Sequence, residues 1–278
     1  MSRQLSPVES QFTIYFTPHL ESYPEPLRRE EFRTNFLVCD VFLVEMAYQW
    51  PVDKPDLESQ YNQLSAGEID DIPEKPGSIE EQLEEISPMR RDFTKELRAT
   101  IHRKKKKVVL ERPPVPFLNV ERYNAELIEA LRLLGIDAAV ALCKHQQQRL
   151  ATSMVQRDCA LVKLITQQLS SGARLFAFRG AAHEPWLCRL LSLHGVRPKS
   201  IRFAEESSLQ ERLVRPLTIG EQISEADALR HLYVVLNLRK DEYQEIMALE
   251  KEAEAKSEEE IRRDLAKHVP KEHRSVTG

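Results

Sequence analysis

The chain has 278 residues, and 40 Lys and Arg against 44 Asp and Glu leave a formal net charge of −4. That balance lacks the basic footprint of general nucleic-acid binding, and no apolar run approaches the roughly 20 residues that span a bilayer. With 41% hydrophobic and 30% charged residues, the composition is globular and the chain is long enough to bury a full core.

In chain order, the first expected element is a short buried strand at 12–16 (FTIYF). A helical pattern over 25–37 leads to a second strand at 41–45 (VFLVE). The stretch 51–77 carries prolines at 51, 55, 73 and 76 and no sustained periodicity, and reads as a surface excursion. A charged helix over 79–102 is interrupted at Ser87-Pro88. Arg103 to Lys107 then closes it as a solvated cationic turn, suited to a helix C-terminus. Val108 to Leu110 is a weaker strand candidate, as are 138–142 and 200–203. Leu127, Ile128, Leu131 and Leu134 predict a helix over 120–134 that stops at Gly135. A helix over 153–170 carries Val155, Cys159, Val162, Ile165 and Leu169 on one stripe. The run 175–178 (LFAF) is a third clear strand and ends directly at Arg179-Gly180.

Short apolar strands alternating with helices predict an α/β domain with a mainly parallel sheet flanked by helices. We assign it to residues 1–205. From 206 to 278 a helical, charged C-terminal extension is expected: Leu229, Leu232, Tyr233 and Leu236 form one face, and 239–268 is a charge-dense solvated helix. A protein partner docking on that helix is an open alternative.

The four cysteines, Cys39, Cys143, Cys159 and Cys188, form no CxxC pair and sit among apolar residues as small hydrophobes. Neither GxGxxG nor a P-loop is present, GxSxG is missing, and His183-Glu184 fails HExxH because position 187 is Leu. The opening MSRQLSPVES lacks a secretory layout, so a cytoplasmic location is expected. No nucleic-acid partner and no membrane partner are expected.

The best-formed local signal is Arg179-Gly180-Ala181-Ala182-His183, between a strand and the start of a helix. Ligands of open α/β sheets collect beyond the carboxyl ends of the strands. His183 there is either an acid/base or metal-binding imidazole, or a histidine that caps the helix. His19 follows the first strand and Glu45 ends the second. If the strands are parallel, His19, Glu45 and His183 converge as a divalent-metal set or as a metal-free acid/base set. Arg157-Asp158 opens the helix before the third strand. It is either surface charge on a first turn or, through Arg157, an oxyanion clamp.

A strand followed by a histidine, a strand ending in VE, Arg-Asp at a helix start and a strand leading to G-x-x-H together resemble the TraB/Tiki superfamily. That group includes ChaN-like haem-binding and erythromycin-esterase-like proteins. The resemblance runs over residues 12–203 and is closest over 154–203. It implies a metal-dependent, peptidase-like hydrolase acting on a small-molecule or peptide substrate. In that pattern Gly180 and His183 match the second GxxH, Glu45 the acidic position, Arg157 the basic position and His19 the first motif's histidine. The implied metal set is His19, Glu45 and His183, around Mn, Co or Zn, with Glu45, Arg157 and His183 catalytic and Gly180 and Asp158 as binding positions. Haem, by analogy with ChaN, is the less favoured cofactor. Phe16 stands where the first motif has glycine. Its bulk near the crevice suggests the alternative of a catalytically degenerate binding or regulatory protein.

Overall fold

The computed structural model describes residues 11–17, 30–44, 56–72, 88–111, 120–202, 209–238 and 243–270. They divide into two compact units, one of residues 1–116 and 157–205, the other of residues 117–156 and 206–278.

The first unit is built on β1 (Phe12–Thr17), α1 (Glu30–Val38), β2 (Val41–Val44), α2 (Asp56–Ala66), α3 (Pro88–Lys104) and β3 (Lys107–Leu110). In the second unit, α4 (Val120–Leu134) is followed by the start of a long helix, α5 (Ile136–Ser170), whose remainder from Arg157 belongs to the first unit. The first unit then continues through β4 (Leu175–Gly180), a 3-10 turn (Ala181–His183), α6 (Glu184–Leu193) and β5 (Lys199–Arg202). The second unit closes with α7 (Leu209–Thr218), α8 (Glu225–Asn237), α9 (Tyr243–Ala255) and α10 (Glu258–Ala266).

The five strands form one parallel sheet in the order β3-β2-β4-β1-β5, so the molecule is α/β. Alternation along each strand sends residues to opposite faces. Phe12, Ile14 and Phe16 of β1, with Leu175 and Ala177 of β4, pack against Leu161 and Ile165 of α5 and Leu187 and Leu191 of α6. Tyr15, Phe42, Phe176 and Phe178 face the other way, onto Phe36, Tyr61, Leu64, Leu97 and Ile101 of α1, α2 and α3. Burial on both faces is why these strands read as continuous apolar runs.

Several expectations are corrected. The proline-bounded excursion contains α2, because Tyr61 and Leu64, three residues apart, bury against the sheet together with Ile72. Residues 138–142 are not a strand: alanine-rich and preceded by Gly135 at φ +89°, they form the first turns of α5, with Ala139, Val140 and Cys143 in the helical core. The cationic run is not wholly solvated. Lys106 is 4% exposed, and its ammonium donates to the carbonyl of Leu37 at 2.6 Å and to that of Cys39. The charged C-terminal helix is two helices, separated at Ser257, which forms a capping box with Glu260. Ala253, Ile261, Leu265 and Val269 bury there, so the apolar positions are sparse yet sufficient. Cys39 and Cys143 are buried, while Cys159 and Cys188 are half-buried. Burial pushes the Cys39 and Cys143 thiols up to about 12. No described helix is long and apolar enough to cross a membrane.

Candidate functional site

β4 is central, with β2 on one side and β1 on the other. The chain leaving β4 therefore has its neighbours' carboxyl ends on both sides, and Thr17 pairs with Gly180 at the last position of the β1 ladder. The 3-10 turn after Gly180 makes His183 the residue that begins α6, with Pro185 in the first turn. His183 makes no side-chain cap to that helix. Its Nδ1 lies 2.8 Å from Asp158 Oδ1, and the two residues are 5% and 0% exposed.

Asp158 does not open a helix. α5 starts at Ile136, so Arg157 and Asp158 lie in its interior, and the helix-dipole reading of Asp158 is overturned. The buried stripe here is Met154, Asp158, Leu161 and Ile165, at spacings of four, three and four. Asp158 thus occupies a position that its neighbours fill with apolar side chains. A buried carboxylate at such a position needs a compensating partner, and His183 is that partner for Oδ1. Among the described residues, no hydrogen-bond donor reaches the buried Oδ2 of Asp158.

Beside this couple lies a second buried ionic group. Arg179, 1% exposed on β4, places a guanidinium nitrogen 2.5 Å from Oε2 of Glu111, the residue that follows β3 and is 3% exposed. Arg157 approaches the same oxygen at 3.9 Å. One carboxylate therefore serves as counter-ion to guanidiniums from a helix and a strand, across the end of β2, which lies between β3 and β4. From the sequence, Glu111 receives no role and Arg179 enters only as the first residue of the turn that leads to His183. The available signals were a carboxylate directly after the VVL run, as in VFLVE, and an arginine inside an otherwise apolar strand.

Arg157, Asp158, Gly180 and His183 all lie in the first unit, and the structure brings Asp158 to His183 and Arg157 to Glu111. His19 and Glu45 lie outside the described residues; the strands that lead to them, β1 and β2, flank β4. Gly180 has φ −58°, and an added Cβ would meet only His183 Cδ2 at 3.7 Å, so neither conformation nor space demands glycine there. Phe16 is fully buried in the core between the sheet and α5/α6, which corrects the expectation of bulk in a crevice. It is in register with Arg179 rather than Gly180, so the two proposed motifs are one residue out of step along the ladder.

Among the described residues, no three His, Cys, Asp or Glu side chains are grouped to hold a metal ion. The Asp158–His183 contact is nonetheless the arrangement that orients a metal-ligating imidazole, as well as a catalytic base. No family model matches this chain, and neither a curated protein nor a solved structure does.

Proposed function

We propose that the sheet unit is a hydrolase of the TraB/Tiki-like type, acting in the cytoplasm on a small-molecule or peptide substrate, with His183 at its reacting centre. The observation that carries this reading is the buried 2.8 Å contact between Asp158 Oδ1 and His183 Nδ1 beyond the carboxyl end of β4. Asp158 Oδ1 accepts the hydrogen of Nδ1, so acid–base chemistry at the ring runs through Nε2. Nε2 takes a proton from the attacking water and returns it to the leaving group. Arg157, on the helical turn that carries Asp158, stabilises the anionic intermediate, and Glu111 sets where its guanidinium rests. Free thiols throughout fit a reducing compartment.

The resemblance also implies a divalent metal, with His19, Glu45 and His183 as the residues that would hold it. Bound there, Mn, Co or Zn would lower the pKa of a coordinated water to about 7. Nε2 has one lone pair, so His183 is either base or ligand at a given moment. With a metal bound, Glu45 would be one of its ligands and His183 would no longer serve as the base.

The experiment pairs metal content by mass spectrometry with turnover of an ester, amide and peptide panel, with and without added Mn, Co and Zn. It compares wild type with His183→Gln and Glu45→Ala. Turnover that falls by about 10²–10⁴ in His183→Gln supports the reading. Stoichiometric metal lost in both variants selects the metal form. A folded wild type that turns over nothing on the panel overturns the hydrolase and leaves the binding or regulatory module.

A further inference from the structure

We infer that the edge of the sheet opposite His183 is a docking surface for anionic lipid headgroups, by which the protein lies on a membrane without entering it. In a parallel sheet crossed back by helices, strand N-termini and helix C-termini share one edge. Here they are tied together by hydrogen bonds. Lys107 N donates to Asp40 O at 3.2 Å, Asp40 N to Arg174 O at 2.8 Å, and Leu175 N to Gln11 O at 2.6 Å. Neighbouring strands lie about 4.8 Å apart, so from β3 to β5 this edge is about 19 Å long.

Two independent features mark it. The first is charge. Arg103, Lys104, Lys105 and Lys107 are exposed at the β3 end, and Arg197 and Lys199 at the β5 end, on a chain whose net charge is −4. Arg174, midway, is forked onto Asp40 by contacts of 2.8 and 3.0 Å, so that acid is already neutralised. Among the described residues, the other acids near this edge follow α2: Glu68, Asp70 and Asp71, of which Asp71 lies 3.8 Å from Arg98. They offset the β3 end in part.

The second feature is apolar. Among the described residues of this unit, the exposed large hydrophobics are Leu37 at 41%, Val38 at 48% and Leu193 at 74%. All three sit on this same edge, Leu37 and Val38 at the end of α1 before β2, and Leu193 at the end of α6 before β5. Buried Lys106 fixes the first pair in place by donating to the carbonyl of Leu37. Aliphatic side chains among lysines and arginines match an interface whose headgroups are anionic and whose depth is hydrocarbon. Nucleic acid would use such cations but has no use for exposed aliphatics, and among the described residues the exposed large hydrophobics include no stacking aromatic. Interfacial binding needs neither a spanning helix nor a positive chain overall, only a local surface of this kind. The inference stands apart from the hydrolase reading, because it uses none of its residues.

The test is vesicle flotation of the full chain with phosphatidylserine-rich and with pure phosphatidylcholine vesicles, at about 0.01 M and about 0.15 M salt. Binding to the anionic vesicles only, weakening with salt, is expected. Each removed cation lowers binding by roughly fivefold, so Lys104→Glu/Lys105→Glu/Lys107→Glu takes it down by at least about 100-fold. Leu37→Ser/Leu193→Ser lowers it by about tenfold or more at unchanged charge. All these side chains are exposed, and an unchanged far-UV spectrum confirms that the variants are folded. Failure to bind anionic vesicles at low salt, equal binding to neutral ones, or no loss in the leucine variant would overturn the inference. So would full displacement by a single-stranded RNA oligonucleotide with no loss in the leucine variant, which would make this edge an RNA surface.

Discussion

Replacing Glu111 with Ala would leave Arg179, 1% exposed, without the carboxylate at 2.5 Å, and Arg157 without the one at 3.9 Å. At an effective dielectric of about 20, those two separations correspond to roughly 7 and 4 kcal/mol of attraction. Most of that offsets the desolvation of the ions, and breaking one partner of a buried pair typically costs about 3–5 kcal/mol. Against a whole-domain stability of about 5–15 kcal/mol, the loss is large. The assay is urea unfolding followed by Trp186 fluorescence in a Trp50→Phe background, where Trp186 in α6 is the only tryptophan left. Glu111→Ala should lose about 3–5 kcal/mol, Glu111→Gln less, because the amide keeps the volume and one acceptor. Glu111→Leu/Arg179→Met, which removes the 2.5 Å pair but still leaves Arg157 without this carboxylate, should recover part of that loss. A loss below about 1 kcal/mol in both single variants, or a double variant worse than Glu111→Ala, would show that the carboxylate does not hold these guanidiniums.

Three further outcomes follow from separate parts of the fold. Lys106→Met keeps the apolar stem but leaves the Leu37 and Cys39 carbonyls without their ammonium donor, and should cost about 1.5–3 kcal/mol in the same unfolding assay. Asp40, held down at about 2 chiefly by its hydrogen bond from Arg174, contributes stability above its unfolded pKa of about 3.9 that is lost as pH falls through about 2. Both partners are about half exposed, so the amplitude stays below about 1 kcal/mol, and Asp40→Asn should flatten that part of the stability–pH curve. In the helical unit, Ser257→Ala removes the capping box of α10 and should lower stability by about 1 kcal/mol, whereas Ser257→Asp should be near neutral.

The sheet was legible because parallel strands covered on both faces are short apolar runs, and FTIYF, VFLV and LFAF are little else. Periodicity served the helices less evenly. In α2 the apolar positions Leu57, Tyr61 and Leu64 have helical spacing, but over a single short stretch between prolines they do not make a sustained period. The alanine-rich start of α5 looked like a strand because apolar runs of five residues do not reveal their period. The candidate site was half legible. His183 stood out by its place after a strand, but its partner did not. The expected stripe of Val155, Cys159, Val162, Ile165 and Leu169 is buried at Val162 and Ile165, but its first turns run one residue off Met154, Asp158 and Leu161. An aspartate in a buried helical row is itself a signal, and it was masked by reading Arg157-Asp158 as a helix start. Lys106 shows a different limit. Within a run of five cations, only the backbone turn, with Lys105 at φ +50°, decides which ammonium points inward.

The proposed chemistry requires Asp158 to hold the hydrogen on Nδ1 of His183, and long-range ¹H–¹⁵N NMR of the histidine rings, with His183 assigned by His183→Gln, tests that directly. A slowly exchanging hydrogen is expected on Nδ1 of His183, and it should lose its protection in Asp158→Ala. An Nδ1 without hydrogen in the wild type, or a spectrum unchanged by Asp158→Ala, would contradict it.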